Sequence, residues 1–188
     1  MKVVLLIFVT IFFQSVLSAD NTVSCVFPNQ SEQMILENCA VKSERGVFKI
    51  LKPALAKIKF DSKGLAGGSI LTDGCYWLNS KGLLLKTHCF DNGADYFEDG
   101  FARYIDAAGK FGYMNQELEV KIRGKYTFAF PFQRGYAKVC MNCVKEKSKD
   151  SEHTLVTGGK WMIINKDGKT IKSCKNASKE YECLVPSN

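Results

Sequence analysis

The chain has only two histidines among its 188 residues. That leaves little room for a histidine-built metal site or a catalytic triad. No GxGxxG, P-loop or HExxH pattern occurs, so the common nucleotide and metalloprotease signatures are absent. Gly67-Gly68-Ser69-Ile70-Leu71 lacks the closing glycine of a nucleophile elbow. After the first 19 residues no stretch is long and apolar enough to span a bilayer as a helix. These absences turn the reading away from enzymes. The hydrophobic content of 46% is too high for a disordered chain and large enough for a real core.

What is present begins with export. Lys2 precedes an apolar run, Val3 to Val9, extended by Ile11-Phe12-Phe13 and followed by the small residues Ser15, Ser18 and Ala19. A basic start, an apolar stretch and a small-residue cut site describe a secretory signal peptide at residues 1–19. Loss of Lys2 leaves 25 basic against 19 acidic residues, a net charge of +6. The expected location is secreted or periplasmic.

Eight cysteines remain after such a cut: Cys25, Cys39, Cys75, Cys89, Cys140, Cys143, Cys174 and Cys183. An even count outside the cytosol argues for disulfides. Spacing favours local bridges, Cys25–Cys39 and Cys75–Cys89 at equal separation and Cys174–Cys183 at the end, which leaves Cys140–Cys143. Cys39 and Cys75 are one repeat apart, so a Cys39–Cys75 bridge stays open as a rival.

The repeat is read from two signatures. Gly64-Leu65-Ala66, Gly100-Phe101-Ala102 and Gly135-Tyr136-Ala137 alternate with Tyr76-Trp77-Leu78-Asn79, Gly112-Tyr113-Met114-Asn115 and Met162-Ile163-Ile164-Asn165. The period is about 36 residues, which means stacked supersecondary units. Alternating apolar runs between Asn/Asp and Gly turns read as hairpins. The expected fold is therefore mainly β: stacked antiparallel β-hairpin repeats, each a hairpin plus a returning strand, stapled by disulfides.

Gly109-Lys110-Phe111-Gly112-Tyr113-Met114-Asn115 resembles the G-K-W-G-Y-I-D core of WG-repeat (KWG-repeat) proteins. Tyr126 to Val139, with Ala129, Pro131-Phe132 and Gly135-Tyr136-Ala137, resembles that family's other half. Gly159-Lys160-Trp161 restates the core near the C-terminus. The resemblance implies a β-rich, non-catalytic binding protein without shared catalytic residues, and a structural role for the aromatic positions. Trp77, Tyr113 and Trp161 are accordingly expected to face the core. Residues 20–46 form an N-terminal segment in which Val41-Lys42-Ser43 and Gly46 read as a degraded first copy. Residues 47–171 form the WG-like domain, with a loop insertion at 140–158. Residues 172–188 are a C-terminal tail carrying Cys174 and Cys183.

The insertion supplies the candidate binding residues Lys145, Lys147, Lys149 and His153, on a loop pinned by a disulfide at its base. Cys140-x-x-Cys143 carries the rival reading, a thiol–disulfide redox protein; no helical periodicity follows it, which favours a structural bridge. A zinc set of Cys140, Cys143, His153 and one more ligand is disfavoured by export. His88 reads as a structural histidine, and Glu98-Asp99 as a solvated turn. Lysines cluster at Lys49, Lys52, Lys57, Lys59 and Lys63; on a strand Lys57 and Lys59 would share a face, a possible meeting point for an acidic surface. No cofactor is expected, nucleic acid is an unsuitable partner for an exported protein, and the expected partner is another protein at the cell envelope or outside the cell. A module for carbohydrate or an envelope polymer is the third class, and it requires Trp77, Tyr113, Tyr136 and Trp161 to form an exposed row.

Overall fold

Five turns of one chemistry set the shape of the chain. Asp61, Asn79, Asp106 and Asn165 each use Oδ1 to accept two backbone N–H groups, from the residues two and four positions on. Asn115 accepts from Glu119 N–H in the same way. The fourth residue of each turn is left-handed: Gly64, Gly82, Gly109 and Gly168, with φ between 73° and 86°. A side-chain-capped type I turn followed by a left-handed residue joins two antiparallel strands with the correct twist. In the fifth turn Leu118 takes that place at φ 57°, and its side chain is buried.

A computed structural model describes residues 21–29, 32–147 and 154–174. Its strands are β1 (Thr22–Asn29), β2 (Glu32–Lys42), β3 (Phe48–Ile50), β4 (Leu65–Ile70), β5 (Gly74–Asn79), β6 (Leu84–Lys86), β7 (Cys89–Phe90), β8 (Gly93–Ala94), β9 (Ala102–Ile105), β10 (Phe111–Met114), β11 (Val120–Tyr126), β12 (Phe128–Ala129), β13 (Tyr136–Met141), β14 (Val144–Lys147), β15 (Thr154–Thr157), β16 (Lys160–Asn165) and β17 (Thr170–Cys174). The fold is mainly β and antiparallel. The expected hairpin plus returning strand recurs three times, as β4-β5-β6, β9-β10-β11 and β13-β16-β17. In the third unit β13 and β16 pair directly, and the insertion leaves between them as a separate two-stranded arm, β14-β15. The first 20 residues, including the expected signal peptide, lie outside the described residues.

The N-terminal strands form a meander of the same kind, β1-β2-β3, and β1 pairs edge-on with β4. The result is a six-stranded sheet in the order β3-β2-β1-β4-β5-β6. Its inner face buries Phe27, Leu36, Phe48, Ile70 and Leu78 around the Cys25–Cys39 bridge. A second core, around Phe111, Tyr113, Phe132, Val139 and Ile164, joins the second and third units.

Consecutive units are bolted by one repeated contact. Trp77 donates Nε1–H to the Asp95 carbonyl at 2.8 Å and packs its ring 5.0 Å from that of Phe97. One repeat later Tyr113 donates its hydroxyl to the Phe130 carbonyl at 2.6 Å and packs 4.6 Å from Phe132. The two-residue turns that follow, Asp99-Gly100 and Arg134-Gly135, touch each other: Gly135 N–H donates to Asp99 Oδ2 at 2.6 Å. Glu98-Asp99 is thus a turn, as expected, and Asp99 also links neighbouring units.

Lys57 and Lys59 are not on a strand. Pro53 sits in the first turn of α1 (Lys52–Leu55), where its missing N–H costs nothing, and the two lysines follow in turn and coil. The expectation of a shared strand face fails there because a proline-started helical turn displaced the alternation.

Candidate functional site

The cysteines pair locally. Cys25–Cys39, Cys75–Cys89 and Cys140–Cys143 are bridged, so the rival Cys39–Cys75 pairing does not occur. Cys174 is disulfide-bonded as well, and its expected partner Cys183 lies outside the described residues. Cys140 and Cys143 are buried at 0% and 6% exposure. Thiol–disulfide exchange needs a thiolate to reach a sulfur, and this bridge offers no open approach. Pairing also takes both sulfurs out of a zinc ligand set, and no metal-binding group of His, Cys, Asp or Glu occurs among the described residues.

The bridge closes the base of the β14-β15 arm. One side of the arm packs inward: Val156 joins Cys140, Cys143, Trp161 and Ile163 in a small core. Opposite Val156, Lys145 sets Nζ 5.2 Å from the Phe111 ring centroid and 5.7 Å from that of Phe128. Of the four candidate binding residues, Lys145 therefore lies against the second repeat. Lys147 ends β14, and Lys149 and His153 lie outside the described residues.

His88 packs its ring 5.7 Å from Phe111 on the same side. Burial, together with the cations of Arg103 and Lys145, lowers its pKa to about 4. A histidine held neutral this way has a structural role, in line with expectation. Beside it lies a feature the sequence reading missed. Arg103 and Asp95, both almost fully buried, form a two-pronged ion pair, and Arg103 also donates to the Ala129 carbonyl at 3.2 Å. Thr87 caps it by donating its hydroxyl to the Arg103 carbonyl. The visible clue was a charged residue at a packed position of the alternating run Phe101-Ala102-Arg103-Tyr104.

A half-buried polar cluster, Asp73 with Tyr76 and Lys86, occupies one end of a groove of about 430 Å³ between β6 and the β9-β10 turn. Burial works to raise the Asp73 carboxyl. The hydrogen bonds from Lys86 and Tyr76 outweigh it and leave the carboxyl below its usual range. Burial and the Asp73 carboxylate push the Tyr76 hydroxyl upward. Tyr76 and Lys86 both donate to Asp73 Oδ2.

The aromatic row does not form. Trp161 and Tyr113 are fully buried, as expected of structural positions, while Trp77 and Tyr136 are half-buried. The exposed rings are others: Phe90 and Tyr96, at 49% and 52% exposure, packed edge to face at 5.7 Å. They flank the β7-β8 hairpin, whose turn residues Asp91 and Asn92 have φ of 48° and 62° and whose first strand is tied to β5 by Cys75–Cys89. A two-residue turn with both φ positive matches strand twist and is stiff. Cys89-Phe90-Asp91-Asn92-Gly93 carried that signal in the sequence.

Fold and site together define a disulfide-tied stack of three-stranded β-repeats that displays a rigid aromatic hairpin. Comparison with known families places the description WG containing repeat on residues 111–142, from the core strand of the second unit to the first strand of the third. That segment, similar to the WG containing repeat, is where the sequence resemblance is most complete. No curated protein and no solved structure matches the chain. Among the described residues no helix is long and apolar enough to cross a membrane.

Proposed function

We propose that the protein is an exported, non-catalytic binding module that holds another protein at the cell envelope or outside the cell, in its specific form as the inhibitor of a cognate enzyme or toxin. The observation that carries this reading is the Phe90–Tyr96 pair. Two large aromatic side chains stand half exposed on a hairpin that a disulfide and a stiff turn hold in place. Preordered aromatic anchors are the side chains that dominate protein interfaces, because little entropy is lost when they dock. Export rests on the N-terminal apolar run and on the bridged cysteines, which favour an oxidising compartment. A redox role is the weaker reading, since the Cys140–Cys143 bridge is buried.

The test is affinity capture from an envelope extract on the mature protein and on a Phe90→Ser/Tyr96→Ser variant. The expected result is a protein retained by the former and lost by the latter, with unchanged circular dichroism. Identical retention by both would overturn the reading. Counting free thiols by alkylation and mass spectrometry checks the redox alternative, for which a reducible, exchanging Cys140–Cys143 pair is required.

A further inference from the structure

The six-stranded sheet has an outer face as well as a core face. Val26 lies opposite Ile35 on β2 and opposite Ser69 on β4, so these three share one side of the sheet. Their strand neighbours Cys25, Phe27 and Ile70 point to the core. The hairpin with Phe90 and Tyr96 lies across this outer side, with Phe97 on Trp77 and Ala94 over Gly67. Ile35 and Leu71 add exposures of 66% and 59% to those of Phe90 and Tyr96. Between the hairpin turn and the sheet runs a groove of about 300 Å³, walled by Val26, Pro28, Leu71 and Asn92 and floored by Gly67 and Gly68. It opens because the β1-β4 pairing stops at Val26↔Ser69, next to Pro28, which has no N–H to continue it.

Two features of charge give this face its partner. In a chain of net charge +7, residues 21–29, 32–41, 64–80 and 87–102, which build the face, contain no lysine or arginine. The formal charge beside the groove is acidic: Asp91, next to Asn92 in the turn and 3.5 Å from the Tyr96 hydroxyl. Six rings elsewhere already carry a cation. The protein's own lysines lie over Phe48, Phe101, Phe111, Phe128, Phe130 and Tyr126. Phe90 and Tyr96 have no such cation among the described residues, although they are the most exposed of the rings.

We propose that this face docks a basic protein segment: an apolar side chain seated in the glycine-floored groove, flanked by lysine or arginine that meets the Phe90 and Tyr96 rings and the carboxylate of Asp91. Cations over exposed rings and opposite acidic groups are favourable and specific, and an apolar patch of this kind marks an interaction site. The proposal rests on the protein-binding reading above and adds the chemistry of the partner. It also separates the face from the lysine-rich surface, where an acidic partner would meet the chain.

The test selects a random dodecapeptide pool on the mature protein at low and at physiological salt. The expected pool is enriched in arginine and lysine beside a leucine, isoleucine or aromatic residue. Selected peptides should bind Asp91→Asn about tenfold more weakly; the replacement keeps side-chain shape, and asparagine tolerates the left-handed turn at 91. Leu71→Ser should weaken them through the groove. A pool with neutral or acidic preference, no enrichment, or binding indifferent to these variants would overturn the proposal. If envelope capture still returns a Phe90-dependent protein while the peptides show no preference for cations, the charge assignment falls and the binding role stands.

Discussion

Arg103 and His88 sit within a few residues of each other in the fold, and burial acts on them in opposite ways. Arg103 is held in an ion pair, with Nε and Nη2 bonded to the two Asp95 carboxylate oxygens and Nη1 to the Ala129 carbonyl. Removing one partner strands the other charge in the interior, which costs about 3–5 kcal/mol. Asp95→Ala and Arg103→Ala should each lower the unfolding free energy measured in urea by that amount. The double variant should cost clearly less than the sum, which a double-mutant cycle measures. His88 is instead kept neutral. An unfolded histidine takes up its proton as pH falls through about 6.5, whereas the folded His88 resists until about pH 4. The unfolded state binds more protons across that window, so stability falls as pH drops through it and levels off below. Asp73 adds a loss at still lower pH, because its folded carboxyl stays ionised below the ordinary range. Denaturation midpoints at pH 7.5, 5.5 and 4.5 check this. His88→Asn should flatten the change between 7.5 and 4.5, and persistence of the full slope would assign it to another group.

At the scale of strands and turns, two glycines with similar sequence surroundings have different reasons to be glycine. Gly109 closes its turn at φ 73° with open space around a would-be Cβ, so Gly109→Ala costs only the left-handed backbone, about 1–2 kcal/mol. Gly112 has an ordinary φ, but a Cβ there would fall 2.3 Å from the Ile122 carbonyl and from the Tyr104 ring. Gly112→Ala therefore forces β10 away from its neighbours and should cost at least about 3 kcal/mol; thermal unfolding of the two variants side by side distinguishes the causes. The order of these elements was readable in the sequence because the turn signal is local: an Asx residue, three positions, a glycine. Where the signal is degraded, as in the Leu118 turn, the strand was still recoverable from the repeat. The β7-β8 hairpin was harder to read, since its strands are two residues each and only its turn stands out. The aromatic positions divide similarly. Tyr113 and Trp161 carry the repeat pattern and turn inward, Trp77 carries it half-buried beneath Phe97, and Phe90 and Tyr96 stand outside the pattern and turn outward. The Arg103–Asp95 pair could not be located from spacing, because it is made by strands meeting in three dimensions.

Across the whole molecule, stability should follow the rule of a stack, in which each unit depends on its neighbours. The six-stranded sheet and the two C-terminal units meet through residues 87–103: Phe97 on Trp77, Asp95 on Arg103, Thr87 on the Arg103 carbonyl and His88 on Phe111. The chain's two tryptophans fall on opposite sides of this joint, Trp77 in the first unit and Trp161 in the third. Each can therefore report on its own side once the other is replaced. Trp161 suits replacement by phenylalanine, because its buried Nε1–H meets no acceptor among the described residues and Phe111 already fills the equivalent place one unit earlier. With the joint intact, Trp77→Phe and Trp161→Phe proteins should unfold in urea with fluorescence and circular dichroism midpoints that coincide within each variant, as a cooperative unit does. Phe97→Ala weakens the joint, since Phe97, with Trp77 and Leu85, packs on a small core of Leu65, Ala102, Tyr104, Met114 and Leu118 that draws on both sides. In that background the Trp161→Phe protein, which reports from Trp77, and the Trp77→Phe protein, which reports from Trp161, should show separate midpoints. The side holding the Cys25–Cys39 and Cys75–Cys89 bridges should unfold later, because each bridge restrains the unfolded chain by about 3 kcal/mol. A single shared transition after Phe97→Ala would mean that the remaining contacts, among them the ion pair, Thr87, His88 on Phe111 and the packing of Leu65 with Met114, hold the two halves together.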